Sequence, residues 1–298
     1  MADRARPLQL DRRGFLRVAG AAGALAATGG AAACSPGSGG SGASTIRIGF
    51  VSPSTGALAP FGEADNFVTG SVQEHFAQNP IRVGGRSYPV QVLKRDSQSS
   101  AERAADVAAD LIENSGIHLM LVSSTPDTVN PVSDQCEAYG VPCVATVTPW
   151  QPWFFGRGGT EDSGFRWTYN FFWGLQDVAA VYADMWDEVA TNKIAGALWP
   201  IDPEGLAWAD PTIGFVPAQA QRGYQIVDPG SYPNGTQDYS AQIRAFQDGN
   251  AEILLGVPVP PDFTTFWRQA AQLDYQPRLA TVGKALLFPS SVEALGPL

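Results

Sequence analysis

From residue 45 onward, short runs of β-branched and aliphatic residues alternate with longer stretches whose apolar positions recur every three or four residues. This alternation constrains the fold more than any other feature. Strands that are apolar along their whole length need cover on both faces, and helices placed between successive strands supply it. The expected strands are residues 45–51, 90–96, 119–122, 141–147, 193–199, 224–227, 253–257 and 278–282. Helices are predicted over 64–78, 127–139, 175–189, 208–222, 239–248 and 263–273. Another helix starts at a Ser99/Glu102 capping box and places Ala104, Ala105, Ala108, Leu111 and Ile112 on one face. Residues 81–90 read as a hairpin around Gly84-Gly85. The rhythm breaks between 148 and 173, which places the first crossing between two lobes there. The expected class is α/β, with mainly parallel sheets flanked by helices.

Composition removes several kinds of function. Hydrophobic residues make up 44% of the 298 positions and charged ones 16%, enough apolar material for a sizeable core. A net charge of −10 argues against a general nucleic-acid binder, which needs clustered Lys and Arg against phosphate. Two distant histidines, His75 and His118, and three cysteines argue against structural zinc. No phosphate-cradling glycine fingerprint, G-x-S-x-G elbow or H-E-x-x-H motif occurs, and neither histidine follows a predicted strand. The expectation is ligand binding without a cofactor. A secreted α/β hydrolase is the remote alternative and requires a nucleophile with a base in reach.

The first residues read as an address. Residues 1–33 carry five arginines against two aspartates, followed by an Ala/Gly-rich stretch too short and too weakly apolar to span a bilayer. Asp11-Arg12-Arg13-Gly14-Phe15-Leu16-Arg17 resembles the twin-arginine export motif. Ala31-Ala32-Ala33-Cys34 resembles a lipobox in which Cys34 is acylated, although Leu is usual where Ala31 stands. The alternative is an ordinary signal-peptidase site of A-x-A type. Residues 35–44 form a Gly/Ser tether. Cys136 and Cys143 then remain as an even pair, either a disulfide or two buried thiols.

Several stretches resemble one family. They are Ile48-Gly49-Phe50-Val51-Ser52-Pro53 with 56–62, Arg95-Asp96 with 99–112, Leu198-Trp199-Pro200-Ile201-Asp202-Pro203-Glu204-Gly205, residues 237–243, and Pro261-Asp262 with 267–270. In this order and spacing the body resembles the type 1 periplasmic-binding-protein family, in particular the branched-chain amino-acid and amide-type substrate-binding proteins of ABC transporters. The resemblance implies a two-lobed fold that closes over a ligand by hinge motion. It implies an extracytoplasmic monomer that binds a small molecule (an amino acid, amide or related polar solute), passes it to an ABC permease, and binds no nucleic acid. A ligand-sensing receptor of the same fold is the second reading. The layout is then a signal peptide over 1–33, lipidated Cys34 and linker over 34–44, an N-terminal lobe over 45–148, a C-terminal lobe over 149–276, and a return to the first lobe over 277–298. On this resemblance the rest of the first lobe is missing, as in a gene fragment or a short, diverged member.

Ligands of parallel α/β sheets sit at the carboxyl ends of strands, so the candidate contacts lie in the loops that follow strands. Phe61 stands where the family often places an aromatic over the ligand, or it caps the core. Ser123, Ser124 and Thr128 offer hydroxyls at a helix N-terminus for a carboxylate, or they cap the helix. Thr146 and Thr148 follow the next strand. In the second lobe, Asp202, Tyr239 and Asp262 occupy matching positions. Asp262 is expected to meet an α-ammonium group, or to cap a helix, and Asp202 serves as a turn or cap residue. Ten aromatics crowd 150–173. Hinge and lobe packing is the leading role for them; the alternative is that they stack on a flat ligand or hold a cation by their ring faces, with Trp150 the preferred cleft member.

Overall fold

The structure, a computed structural model, describes residues 45–296. The signal peptide, Cys34 and the linker lie outside the described residues. β1 (Ile46–Ser52) is buried along five consecutive positions, as befits a strand covered on both faces. It pairs in parallel with β4 (Val90–Asp96) on one side and β5 (Leu119–Ser123) on the other. β6 (Cys143–Thr146) and β7 (Thr168–Asn170) continue the sheet in the order β4-β1-β5-β6-β7. β2 (Ile81–Val83) and β3 (Arg86–Tyr88) form the expected hairpin, whose turn glycines Gly84 and Gly85 both have positive φ. Helices α1 (Pro60–Gln78), α2 (Ala101–Glu113) and α3 (Pro126–Tyr139) connect the first strands. The core of this lobe joins Val51, Leu111, Met120, Val122, Val132 and Trp153.

The second sheet has the order β11-β10-β8-β9, all parallel. Its strands are β8 (Ile194–Leu198), β9 (Gln225–Val227), β10 (Ile253–Gly256) and β11 (Leu279–Val282). The helices around it are α5 (Leu175–Asp187), α6 (Pro203–Ala209), α7 (Phe215–Ala220), α8 (Ser240–Asp248) and α9 (Pro260–Gln272); α4 (Trp150–Phe154) precedes them, before β7. One core gathers Trp186, Trp199, Trp208 and Phe215, and another gathers Tyr239, Phe246, Phe263 and Phe266. Trp186 Nε1–H donates to Thr281 Oγ1 at 3.0 Å and ties α5 to β11. Gly196 lets Phe246 lie flat on β8, because a Cβ there would come within 2.5 Å of the ring.

Several expectations are corrected. The first crossing does not fall at 149: β7 pairs with β6, so the first lobe runs on past Asn170. Strand 279–282 pairs with β10 in the second sheet instead of returning to the first. Return contacts come later, where Phe288 packs edge-to-face on Phe61 and Ser290 Oγ–H donates to Glu63. The single helix expected over 208–222 is two short ones. Asp210 Oδ1 accepts the N–H groups of Thr212 and Ile213 in a turn that Pro211 helps to break. The cap of α2 is Ser100, not Ser99. Ser99 has φ +56° and binds the loop after β1, accepting from Leu58 N–H and donating to Thr55 O. Of the two alternatives open for Cys136 and Cys143, the structure has the pair of buried thiols. Their mutual hydrogen bond, then burial, pushes the Cys136 thiol far above its ordinary range.

Phe246→Ala is expected to lower stability by about 3–5 kcal/mol, the usual cost of emptying an aromatic site in a core. Urea unfolding followed by tryptophan fluorescence measures it.

Candidate functional site

Both sheets present the carboxyl ends of their strands to one region. In the first sheet the strand order reverses at β1, and in the second at β8, the switch points where such sheets bind ligands. The loop after β1 is held by Asp96 at the end of β4. Its carboxylate accepts from Ser54 N–H at 2.8 Å, Thr55 N–H at 3.3 Å and Thr55 Oγ1–H at 2.7 Å. Partial burial works against the charge, but these bonds and one from Gln98 N–H hold the Asp96 pKa below the ordinary value.

A cavity of ≈ 380 Å³ opens between the lobes. From the first lobe and the crossing come Phe61, Val147, Pro149, Phe172 and Trp173. Across from them stand Tyr182, Glu204, Trp208, Gly283, Lys284 and Leu287. Phe61 belongs to a small apolar cluster with Leu58 and Val259, against which Val147 and Phe288 pack. Val147 has φ +67°, a left-handed conformation that is costly for a β-branched residue. The strain sits in the cavity wall, where surrounding packing holds it.

A buried ion cluster closes one side. Lys284, in the 3₁₀ turn Lys284–Leu286 after β11, donates from Nζ to Asp202 Oδ2 at 2.7 Å. Both side chains are 2% exposed. Glu204 Oε2 lies 3.6 Å from the same Nζ. Asp202 also caps α6, accepting from the N–H groups of Glu204 and Gly205. Carboxylates gather here because the N-terminus of a helix favours negative charge. The first lobe adds Asp127 from the first turn of α3, which feels both Lys284 and Asp202. Burial opposes the Lys284 charge, but Glu204, Asp202 and Asp127 outweigh it, and its pKa lies above the ordinary lysine value. Burial pushes Glu204 up to about 7, with Lys284 pulling the other way. Asp127 is also raised by burial, against the pull of Lys284.

Of the candidate ligand contacts named from the sequence, Phe61 lines this cavity, joined by Phe172 and Trp173 of the aromatic stretch; the others do not. Ser124, Thr128 and Thr148 lie at the strand tips and first helical turn of the first lobe, almost fully buried, with hydroxyl oxygens that have no hydrogen-bond partner. Ser97, after β4, is the same, and sequence reading passed over it. Ser123 sits beside Asp65 of α1, whose carboxyl burial raises to about 6. Thr146 Oγ1–H donates to Phe171 O and secures the crossing. Trp150 lines a different groove, with Gln151, Phe155 and Arg222, while Phe172 and Trp173 take the place expected for it. Asp202 serves as the cap and ion-pair partner just described. Tyr239 packs in the second-lobe core against Tyr232 and Phe266. Asp262 accepts Gly235 N–H, Oδ2 at 2.9 Å, and does not line the cavity. Burial raises its pKa, offset in part by Gly235 and Tyr239.

Glu204, Lys284 and Asp127 were missed. Lys284 left one signal: it is a lone cation in the apolar run Val282-Gly283-Lys284-Ala285-Leu286, directly after a strand.

Lys284→Met is expected to cost about 3–5 kcal/mol near neutral pH, because it leaves buried carboxylates without their cation. A carboxyl whose pKa is raised on folding contributes stability that is complete below its unfolded value and lost as pH rises through the folded one. For Glu204 that window runs from 4.5 to about 7. Urea unfolding across this range is expected to show stability falling with pH. Glu204→Gln should remove its share of the fall, leaving the part due to Asp65 and Asp127, whose carboxyls are also raised by burial.

The comparisons agree with this geometry. A family model described as periplasmic binding protein matches residues 45–298. A search of curated proteins gives no match. Among solved structures, a leucine-binding protein from Thermotoga maritima is 19% identical with a TM-score of 0.68, over 85% of this chain and 67% of that one. A branched-chain amino-acid transporter substrate-binding protein from Streptococcus pneumoniae, in complex with isoleucine, is 15% identical with a TM-score of 0.65, over 85% and 68%. An ABC-transporter solute-binding protein from Rhodopseudomonas palustris, in complex with 3,4-dihydroxybenzoic acid, is 16% identical with a TM-score of 0.59, over 80% and 61%. The chain thus spans about two thirds of the length of these relatives. At these identities the likeness concerns the fold, two parallel α/β lobes facing each other at their strand tips. The chain belongs to the periplasmic binding protein family.

Proposed function

We propose that the chain is the solute-capturing component of an ABC transporter, working outside the cytoplasm. It holds a small molecule between its lobes and presents it to a membrane permease, with no bond made or broken. The observation that carries this reading is the cavity of ≈ 380 Å³ walled by residues of both lobes at the strand tips. A ligand there touches both lobes at once, so it favours the closed arrangement by its differential affinity. An amino acid, amide or related small polar solute is the class the sequence resemblance suggests, and a leucine-binding relative and a relative in complex with isoleucine support it. His118 stands at the opposite end of the strands, where its Nδ1 accepts Arg47 N–H, so it offers no base to the cleft.

Twin-arginine export, acylation of Cys34, a monomeric state and the absence of nucleic-acid binding complete the proposal; for these the support is in the sequence. A receptor that signals to a membrane partner would use the same cleft.

A thermal-shift screen of amino acids, amides, amines and aromatic acids tests capture. A bound solute at about 100 times its Kd is expected to add about 2.7 kcal/mol of stability, and small-angle scattering should show a smaller radius of gyration. A folded sample that neither shifts nor compacts with any solute overturns the reading.

A further inference from the structure

We propose that the solute is an organic cation with an apolar, preferably aromatic body, held by the Glu204 carboxylate and the aromatic walls of the cavity. This inference rests on the receptor reading and narrows it. Among the described residues, the one cation lining the cavity is already committed: Lys284 gives its 2.7 Å hydrogen bond to Asp202 and is 2% exposed. Three carboxylates, Asp202, Glu204 and Asp127, surround that single ammonium. The balance of charge is therefore negative, and Asp177 adds another carboxylate to the lining.

Glu204 is the least satisfied member. It is 7% exposed, it lines the cavity, and its ionic partner stands 3.6 Å away. A ligand cation beside it supplies the missing neutralisation. A ligand carboxylate in the same place would meet like charge, with the ammonium of Lys284 already bound. The remaining walls suit the body of such a molecule. Phe61, Phe172, Trp173, Tyr182 and Trp208 offer ring faces, which attract cations through their quadrupoles and pack on flat apolar groups.

Proton linkage gives the proposal a second readout. The groups facing Glu204 are Lys284 from the turn after β11, Asp202 from its own helix, Asp127 from α3 and Tyr182 from α5. With Glu204 near half-protonation at neutral pH, a cation binds most tightly to its ionised form. Binding then releases a proton and strengthens as pH rises.

The test is isothermal titration calorimetry of the full chain with three probes of like shape: 2-phenylethylamine, 2-phenylethanol and phenylacetate. The amine is expected to bind at least about tenfold more tightly than either of the others, as a charged hydrogen bond in a buried site allows. Its affinity should rise between about pH 6 and pH 8 with proton release. Glu204→Gln, checked for folding by thermal melting, should lose about tenfold or more in amine affinity and lose the pH dependence. Equal or tighter binding of phenylacetate or the alcohol overturns the cation assignment and leaves solute capture standing. Failure of the amine to bind at millimolar concentration also overturns it, whatever the capture screen shows. An amine affinity unchanged in folded Glu204→Gln removes Glu204 from the site.

Discussion

The ion cluster around Lys284 fixes one wall of the cleft, with Asp127 of the first lobe acting on the same charge. Three elements converge on one ammonium: the first turn of α3 from the first lobe, the N-terminus of α6, and the turn after β11. A lysine with this little contact with water is tolerated only when opposite charge lies at hydrogen-bond distance. Asp202 provides that contact, and the same carboxylate caps α6. The helix start, the position of β11 and the cavity wall are thus fixed by shared atoms. With three carboxylates to one lysine, part of the acidic character remains for other use.

The first lobe reaches the cleft by other means. Asp96 holds the loop after β1 through backbone and hydroxyl donors, and Ser99 ties the same loop to the start of α2. Phe61 then stands against Val259 and Phe288, so the apolar side of the cavity is built from all parts of the chain. The two sides differ in physics. One is a dry aromatic and aliphatic wall. The other is a buried charge network whose protonation changes near neutrality, because burial brings Glu204 to about 7.

The fold was legible because its signals are local. A run such as Ile253–Gly256, buried at every position, reads as a covered strand in any context. Helices with a clear apolar stripe, such as Ala101–Glu113, fell within a residue or two of expectation. Errors arose where tertiary contacts overrode the local pattern. Ser99 matches a capping box, yet the loop after β1 claims its hydroxyl and leaves the cap to Ser100. The short strand Thr168–Asn170 could not be seen inside an aromatic-rich stretch, because three residues carry no periodicity.

The site was legible in outline only. Strand-tip loops lie together because backbone topology alone brings them there, and Phe61, from one of them, lines the cavity. Side-chain roles depend on partners distant in sequence. Lys284 meets Asp202 across 82 positions, and no spacing rule announces such a pair. Asp262 and Tyr239 stood at promising positions, but the neighbouring Gly235 N–H and the Tyr232 ring claim them first. The sequence by itself determined the alternation of strands and helices, and with it the class of fold and the end of the sheets that bears the site, because burial and backbone hydrogen bonding act over a few residues. Tertiary structure alone decided which polar groups face the cavity and which neutralise one another, because Coulomb forces and desolvation depend on distances that exist only once the chain has folded.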